Sequence, residues 1–322
     1  MTMNAPALWK RPDLQFPQPF DTIFFDVDGV LISTLKSFHA TDIAVAEYVA
    51  GTIHGLDWGQ DEGKPLLTQQ DVDAFKQAGG YNNDWDMCYL LAAISTARYR
   101  EWAGTSLAER STQEWADIAR KANLQGHGGR AWVEAIFPAS AKMDYGIIGD
   151  LYHEYYWGAG EIIKRFGREP RYLPKAKGLV HLEEMLYLPD FPARLRQAGV
   201  QHLGMITGRV GPEVDSALER MEAYSGERWW NVVISADTCA KPNPRAMRLA
   251  IEAVGARGGL YIGDTADDHD LVRNYIAERT ADQPLMVAAM LINPEEVEIY
   301  KARGADLIVR SVEDLLGYLP PH

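Results

Sequence analysis

Asp26 and Asp28 stand one residue apart at the end of the apolar run Ile23-Phe24-Phe25, and Gly29 follows them directly. Two carboxylates held this close repel each other, so a chain that keeps them together uses them. The run follows the turn-forming Pro17-Gln18-Pro19 and reads as a buried central strand. In open parallel sheets ligands bind at the carboxyl ends of such strands. With extended backbone at Val27, the side chains at 26 and 28 fall on one side and face one pocket. A divalent cation would relieve their repulsion. Gly29 lets the chain leave the extended conformation at once and brings backbone N–H groups towards an anion. The competing reading of residues 24–31 is a strand followed by an ordinary Asp-Gly turn, and residues further along must decide.

Three later stretches have the same character. Leu203-Gly204-Met205-Ile206 is an apolar strand running into Thr207-Gly208-Arg209, and Lys241-Pro242-Asn243-Pro244 places a lysine at a helix start. Leu260-Tyr261-Ile262-Gly263 is another apolar strand, ending in Asp264 and followed by Thr265-Ala266-Asp267-Asp268. Together, and in this order, the four stretches resemble the four motifs of the haloacid-dehalogenase superfamily of phosphohydrolases. The resemblance covers residues 20–32 and 190–319, and it lies nearest the phosphoglycolate-phosphatase-like members, with a larger insertion than theirs.

The resemblance implies a role for each residue. Asp26 is the nucleophile that forms an aspartyl-phosphate, dividing one hydrolysis into two displacements. Asp28 is the general acid and base, protonating the leaving alkoxide and then deprotonating water. Relatives that cleave carbon–halogen or carbon–phosphorus bonds lack an acid here, so Asp28 implies phosphomonoester hydrolysis or phosphomutase chemistry. Thr207 and the backbone at Gly208 suit donation to a phosphoryl oxygen, and Lys241 neutralises charge on the phosphoryl group and on Asp26. Pro242 marks the first helical position, adding a helix dipole to the lysine's charge. Mg2+ is the implied cofactor, held by Asp26, the backbone carbonyl of Asp28, Asp264 and Asp268. Asp267 competes for the last place, and the family's four-residue spacing selects Asp268. Gly29, Gly208 and Arg209 complete the substrate-side set; for Arg209 the plain alternative is a surface arginine. His269 and Asp270 read as first-turn residues of a helix rather than a separate metal site.

The elements that position these residues can be read from periodicity. From Pro189 onwards short helical and strand patterns alternate, as in a doubly wound parallel sheet. Strands are predicted at 22–27, 201–207, 231–235, 259–264, 285–292 and 306–309. Helices are predicted at 191–197, 212–224, 242–255, 267–278, 294–303 and 312–319. Residues 33–187 lack strand alternation and read as helices at 36–50, 84–102 and 145–166, with a capping box at Ser111-Thr112-Gln113-Glu114 opening another. The expected fold is therefore α/β, a Rossmann-like parallel sheet with an inserted all-α cap. Residues 1–19 form an arm, 20–33 and 188–322 the core, and 34–187 the cap, which in the family lies above the active site. Arg98, Arg100, His127, Arg130, Trp132, Tyr152, Tyr155, Tyr156 and Trp157 are the cap's candidate substrate contacts. Aromatic side chains at helical spacing more often form core.

Composition narrows the function. A net charge of −13 repels polyanions and argues against nucleic acid, favouring a small phosphorylated metabolite as partner. Cys88 and Cys239 are too few for a disulfide framework and lack metal-ligand spacing. Residues 1–20 are broken by prolines, and the longest apolar run, 285–292, is far short of the ~20 residues of a membrane span. The expectation is a cytoplasmic enzyme without a membrane partner. It is a Mg2+-dependent phosphomonoesterase, with a sugar phosphomutase or a non-catalytic phospho-ligand-binding protein as alternatives.

Overall fold

The computed structural model of the chain describes residues 7–59, 63, 65–78, 81, 83–102, 117–118, 121 and 128–320. Two compact units emerge, residues 1–33 with 184–322, and residues 34–183.

Over its described residues the first unit contains nine strands: β1 (Trp9–Lys10), β2 (Thr22–Phe25), β3 (Ile32–Ser33), β4 (Glu184–Met185), β5 (His202–Ile206), β6 (Val232–Ile234), β7 (Gly259–Gly263), β8 (Met286–Leu291) and β9 (Leu307–Val309). Seven form one sheet in the order β1-β9-β8-β7-β2-β5-β6, parallel except for β1. Strand β2 lies between β5 and β7, all four of its residues buried. From β2 the chain builds outwards through β5 and β6, then returns to β2's other side for β7, β8 and β9. The sheet's switch point, where a ligand crevice opens at the carboxyl ends, is therefore at β2.

Side-chain alternation along β2 divides the packing between the two faces. Ile23 and Phe25 join Leu203, Met205, Leu260 and Ile262 on one face, under Phe191, Leu195 and Met221. Phe24 joins Ile206, Tyr261 and Ala288 on the other, under the helices Pro244–Val254 and Ala266–Glu278. Asp26, two residues after Phe24, continues the second face.

Over its described part the arm is tied to the core: Trp9 and Lys10 pair antiparallel with β9, and Leu14 is buried, while residues 1–6 lie outside the described residues. Two expectations are revised. The return to the core comes at 184, not 188, because β4 pairs with β3 (Ile32↔Met185, Ser33↔Glu184). Proline's fixed φ does not start the third-motif helix at Pro242; Asn243 caps it, its side chain accepting from the Arg245 N–H, and Pro244 is its first residue.

Over its described residues the second unit contains helices and no strand: Phe38–Glu47, the π-helical Tyr48–Ile53, Gln69–Ala78, Asp84–Trp102, Gly129–Ile136 and Tyr145–Phe166, the last kinked at Gly158. Their apolar faces share a core of Val45, Val49, Phe75, Leu90, Leu91, Leu151 and Trp157. Glu183, the unit's last residue, is tied to its entry and to its long helix: its Oε1 accepts from Ser37 Oγ (3.1 Å) and Tyr156 Oη (3.0 Å). The capping box at 111–114 lies outside the described residues. Among the described residues no helix is long and apolar enough to cross a membrane.

Candidate active site

Strand register assembles the site. Phe25 pairs with Met205 on one side and Ile262 on the other, and the Asp26 N–H continues the ladder to the Ile262 carbonyl. Asp26, Thr207 and Asp264 consequently leave three adjacent strands at one end. Asp26, Asp264 and Asp268 each offer an oxygen within 4.8 Å of the others.

Lys241 lies among these acids. Its ammonium is 2.9 Å from Asp26 Oδ2 and 2.6 Å from Asp268 Oδ1, with side chains almost wholly buried. Burial works against its charge, but the two carboxylates overcome that and hold its pKa above the ordinary lysine value. Asp26 is pushed up to about 7, first by burial and then by Asp268, with Lys241 pulling the other way. Burial and Asp268 raise Asp264 as well.

Asp268 is the most heavily bonded of the acids. Its Oδ1 accepts from Lys241 and from Tyr261 Oη (2.5 Å), and its Oδ2 accepts from Thr265 Oγ1 (2.7 Å), Thr265 N (3.0 Å) and Asp264 N (3.3 Å). As the third residue of the helix Ala266–Glu278 it closes a capping box with Thr265. Burial opposes its ionisation, but Lys241 and the two hydroxyls offset this and its pKa lies below the usual carboxylate value. By contrast, Asp26 Oδ1 and Asp264 Oδ1 are buried without a hydrogen-bond partner among the described residues. Two orphaned carboxylate oxygens beside a third acid, with no sulfur or imidazole, fit a hard cation such as Mg2+.

Gly29 serves this cluster by its lack of a side chain. Its φ is +73°, and a Cβ there would lie 1.9 Å from Asp264 Oδ2. Its N–H donates to the Ile32 carbonyl (2.9 Å), so the expected donation to an anion is replaced by a tight turn that admits Asp264. Gly263 makes similar room for Asp268, whose Cβ would be 2.2 Å from an added one. Gly208 is exposed and an added Cβ would meet nothing within 4 Å, which leaves open space beside Thr207. Thr207 is buried, and its Oγ1 accepts from the Arg209 N–H (3.2 Å), keeping the hydroxyl proton for another acceptor.

Arg209 is no surface arginine. It is 1% exposed, and its Nε and Nη2 lie 2.9 and 2.7 Å from Asp28 Oδ1. Tyr261, Thr265 and Gly263 were missed from sequence because each passes for an ordinary strand or turn residue. The Thr-x-x-Asp spacing of Thr265 and Asp268 was the one signal that could have exposed the cap.

The remaining candidates do not join the cluster. Asp267 is half-buried and outside the three-acid group. The ring of His269 faces Asp270 through Nδ1 (3.1 Å) and Arg273 through Nε2 (3.4 Å), which leaves no nitrogen for a metal. In the helical unit Trp132, Tyr152, Tyr156 and Trp157 are core, Arg130 lies over the Tyr145 ring, and Tyr155 lines a cleft with Glu47, Tyr48 and Trp58. Arg98 lies on the helix Asp84–Trp102, whereas the Arg100 side chain and His127 fall outside the described residues.

The family model of the haloacid dehalogenase-like hydrolases matches residues 20–270. The chain belongs to that family. Among solved structures, phosphatase Tt82 from Thermococcus thioreducens is 20% identical, with a TM-score of 0.58 over 92% of this chain and 97% of that one. A structural-genomics target, ZR25, is 17% identical, with a TM-score of 0.61 over 93% and 98%. Both share the fold. One curated relative, an imidazoleglycerol-phosphate dehydratase from Phytophthora nicotianae, is 21% identical over 253 residues. The match covers 78% of this haloacid dehalogenase-like chain, which spans only 40% of that relative's length.

Proposed function

We propose that the chain is a Mg2+-dependent phosphomonoesterase of small phosphorylated metabolites, working through an aspartyl-phosphate on Asp26. The observation that carries this reading is the setting of Asp26, with one oxygen on Lys241 and the other orphaned beside Asp264. The Asp26 carboxylate attacks phosphorus as the ester P–O bond breaks, and Asp28 gives its proton to the departing alkoxide. Asp28 then removes a proton from the water that attacks the aspartyl-phosphate, which releases inorganic phosphate and restores Asp26. Lys241 offsets charge on the phosphoryl oxygens, and Thr207 donates its hydroxyl to one of them. Asp26, Asp264 and the Asp28 carbonyl would hold the cation, which supplies further charge neutralisation and favours ionised Asp26. Asp268 faces the same cluster, but its five protein donors suit it to holding Lys241.

The leaving group must be read by other residues, and the helical unit is the candidate, because the core supplies chemistry common to all phosphate esters. The acidic net charge supports a small anionic substrate over nucleic acid, and two free thiols suit a reducing, cytoplasmic setting. The test is phosphate release from a panel of phosphorylated metabolites, including imidazoleglycerol phosphate, with and without chelator. We expect release to stop with chelator and return with Mg2+, Asp26→Asn to form no phosphoenzyme, and Asp28→Asn to phosphorylate slowly and dephosphorylate poorly. Full turnover in chelator, or a phosphoenzyme on Asp26→Asn, would refute the reading; a phosphorylated isomer without free phosphate would make the protein a mutase.

A further inference from the structure

The buried guanidinium of Arg209 pairs with Asp28. Arg209 sits between β5 and the helix Gly211–Ser225, and it is held at three levels. Its N–H donates to Thr207 Oγ1, its carbonyl accepts from the Ala236 N–H (3.1 Å), and its Nη1 reaches the Glu213 carbonyl (3.5 Å). The Nε and Nη2 edge, which would grip a phosphoryl group in a substrate-binding arginine, closes instead on Asp28 Oδ1. A buried cation is tolerated only when paired, and Asp28 supplies a carboxylate to it. Asp28 has the opposite character: its side chain is 27% exposed and it precedes the left-handed turn at Gly29. Left alone, a partly exposed carboxylate at a turn samples several rotamers. The Nε and Nη2 contacts both fall on Oδ1.

We infer that Arg209 is a positioning residue that fixes the Asp28 carboxylate in one orientation by its Oδ1 and does not bind substrate. The inference rests on the reading of Asp28 as general acid and base. One carboxylate must serve two proton transfers from one place, and geometry held to a fraction of an ångström decides how well it does so. The pair links the first and second motifs through side chains, so the hydroxyl of Thr207 and the carboxylate of Asp28 are set by one residue.

Steady-state kinetics on the full chain with Mg2+ test this, using phenyl phosphates whose leaving groups range from 4-nitrophenol to 4-methoxyphenol. Arg209→Lys keeps the charge and loses the fork. It should lower kcat by about 10-fold or more, within the roughly 10²- to 10⁴-fold that acid–base catalysis supplies, and leave KM within about twofold. The loss should grow as the leaving group becomes more basic. Arg209→Ala should cost nothing further once Asp28 is Asn, because a residue acting only through Asp28 has nothing left to position. A raised KM with unchanged kcat and unchanged leaving-group dependence, or an additive loss in the Asp28→Asn background, makes Arg209 a substrate ligand and overturns the proposal. Should Arg209→Ala fail to fold, the leaving-group series on Arg209→Lys decides alone. Asp28→Asn with wild-type turnover across the series would remove the acid–base reading itself, an outcome visible without any Arg209 variant.

Discussion

At the scale of single residues the site depends on which carboxylate oxygens are satisfied. Asp268 is saturated, Asp26 is half-satisfied, and Asp264 is directed by the missing side chain of Gly29. Gly29→Ala brings a methyl group into the place of Asp264 Oδ2 and forces a left-handed φ on a residue with a Cβ. We expect it to destabilise the fold by about 1–2 kcal/mol, the ordinary cost of that backbone region, and to raise the Mg2+ concentration for half-maximal activity several-fold. Calorimetric Mg2+ titration beside thermal melting checks this, and unaltered Mg2+ binding by a well-folded variant would show that Gly29 does not place Asp264. Gly29 was legible as a turn residue, but its actual neighbour, more than 230 positions along the chain, was not. No local pattern encodes a contact made by strand register.

At the scale of elements, the strands and helices of the core were largely legible, because parallel strands buried on both faces read as apolar runs and their helices carry start and stop signals. The edge strand Trp9–Lys10 was not, since two residues carry no periodicity and pair only because β9 is there to receive them. The role of Arg209 escaped for a related reason: an arginine after a strand looks the same in sequence whether it meets solvent or a carboxylate 181 residues away. The aromatic helices of the second unit are core, as helical spacing suggests. One element there has a pH signature. His39 lies on the helix Phe38–Glu47, facing Asp73 (3.5 Å) and near Lys76 and Asp84, and burial, then Lys76, lower its pKa from 6.5 to about 4. A depressed folded-state pKa means that the unfolded chain binds the proton first. Its contribution is complete above about pH 6.5 and is lost as pH falls towards 4, at most roughly 3 kcal/mol in all. The stability difference between the wild type and His39→Asn, from urea unfolding at pH 4, 5, 6 and 7, should shrink or reverse towards acid; a difference independent of pH would mean that His39 is not held neutral.

At the scale of the whole molecule, every residue assigned to phosphoryl transfer lies in the unit formed by residues 1–33 and 184–322. The other unit enters and leaves through two antiparallel strands whose adjoining ends, Ser33 and Glu184, are paired. A two-residue Asn-Gly turn is the natural closure for such a hairpin. A chain in which that turn replaces residues 34–183 should fold, retain weak Mg2+-dependent hydrolysis of 4-nitrophenyl phosphate, and lose preference among natural esters, because remote binding energy that serves turnover is gone. Undiminished discrimination by the shortened enzyme would place specificity in the core. The same paired strands bear on how the chain reaches its native state. Thr22 must find His202, and an unstructured loop of 150 residues between Ser33 and Glu184 makes that closure costly by roughly 4 kcal/mol. If the helical segment folds first, with Glu183 tying its end to Ser37 and Tyr156, it delivers the two strand ends side by side and the entropy of the loop has already been spent. The order of events is then helices before sheet, and the hairpin-closed chain, relieved of the long loop, should refold its core without waiting for them.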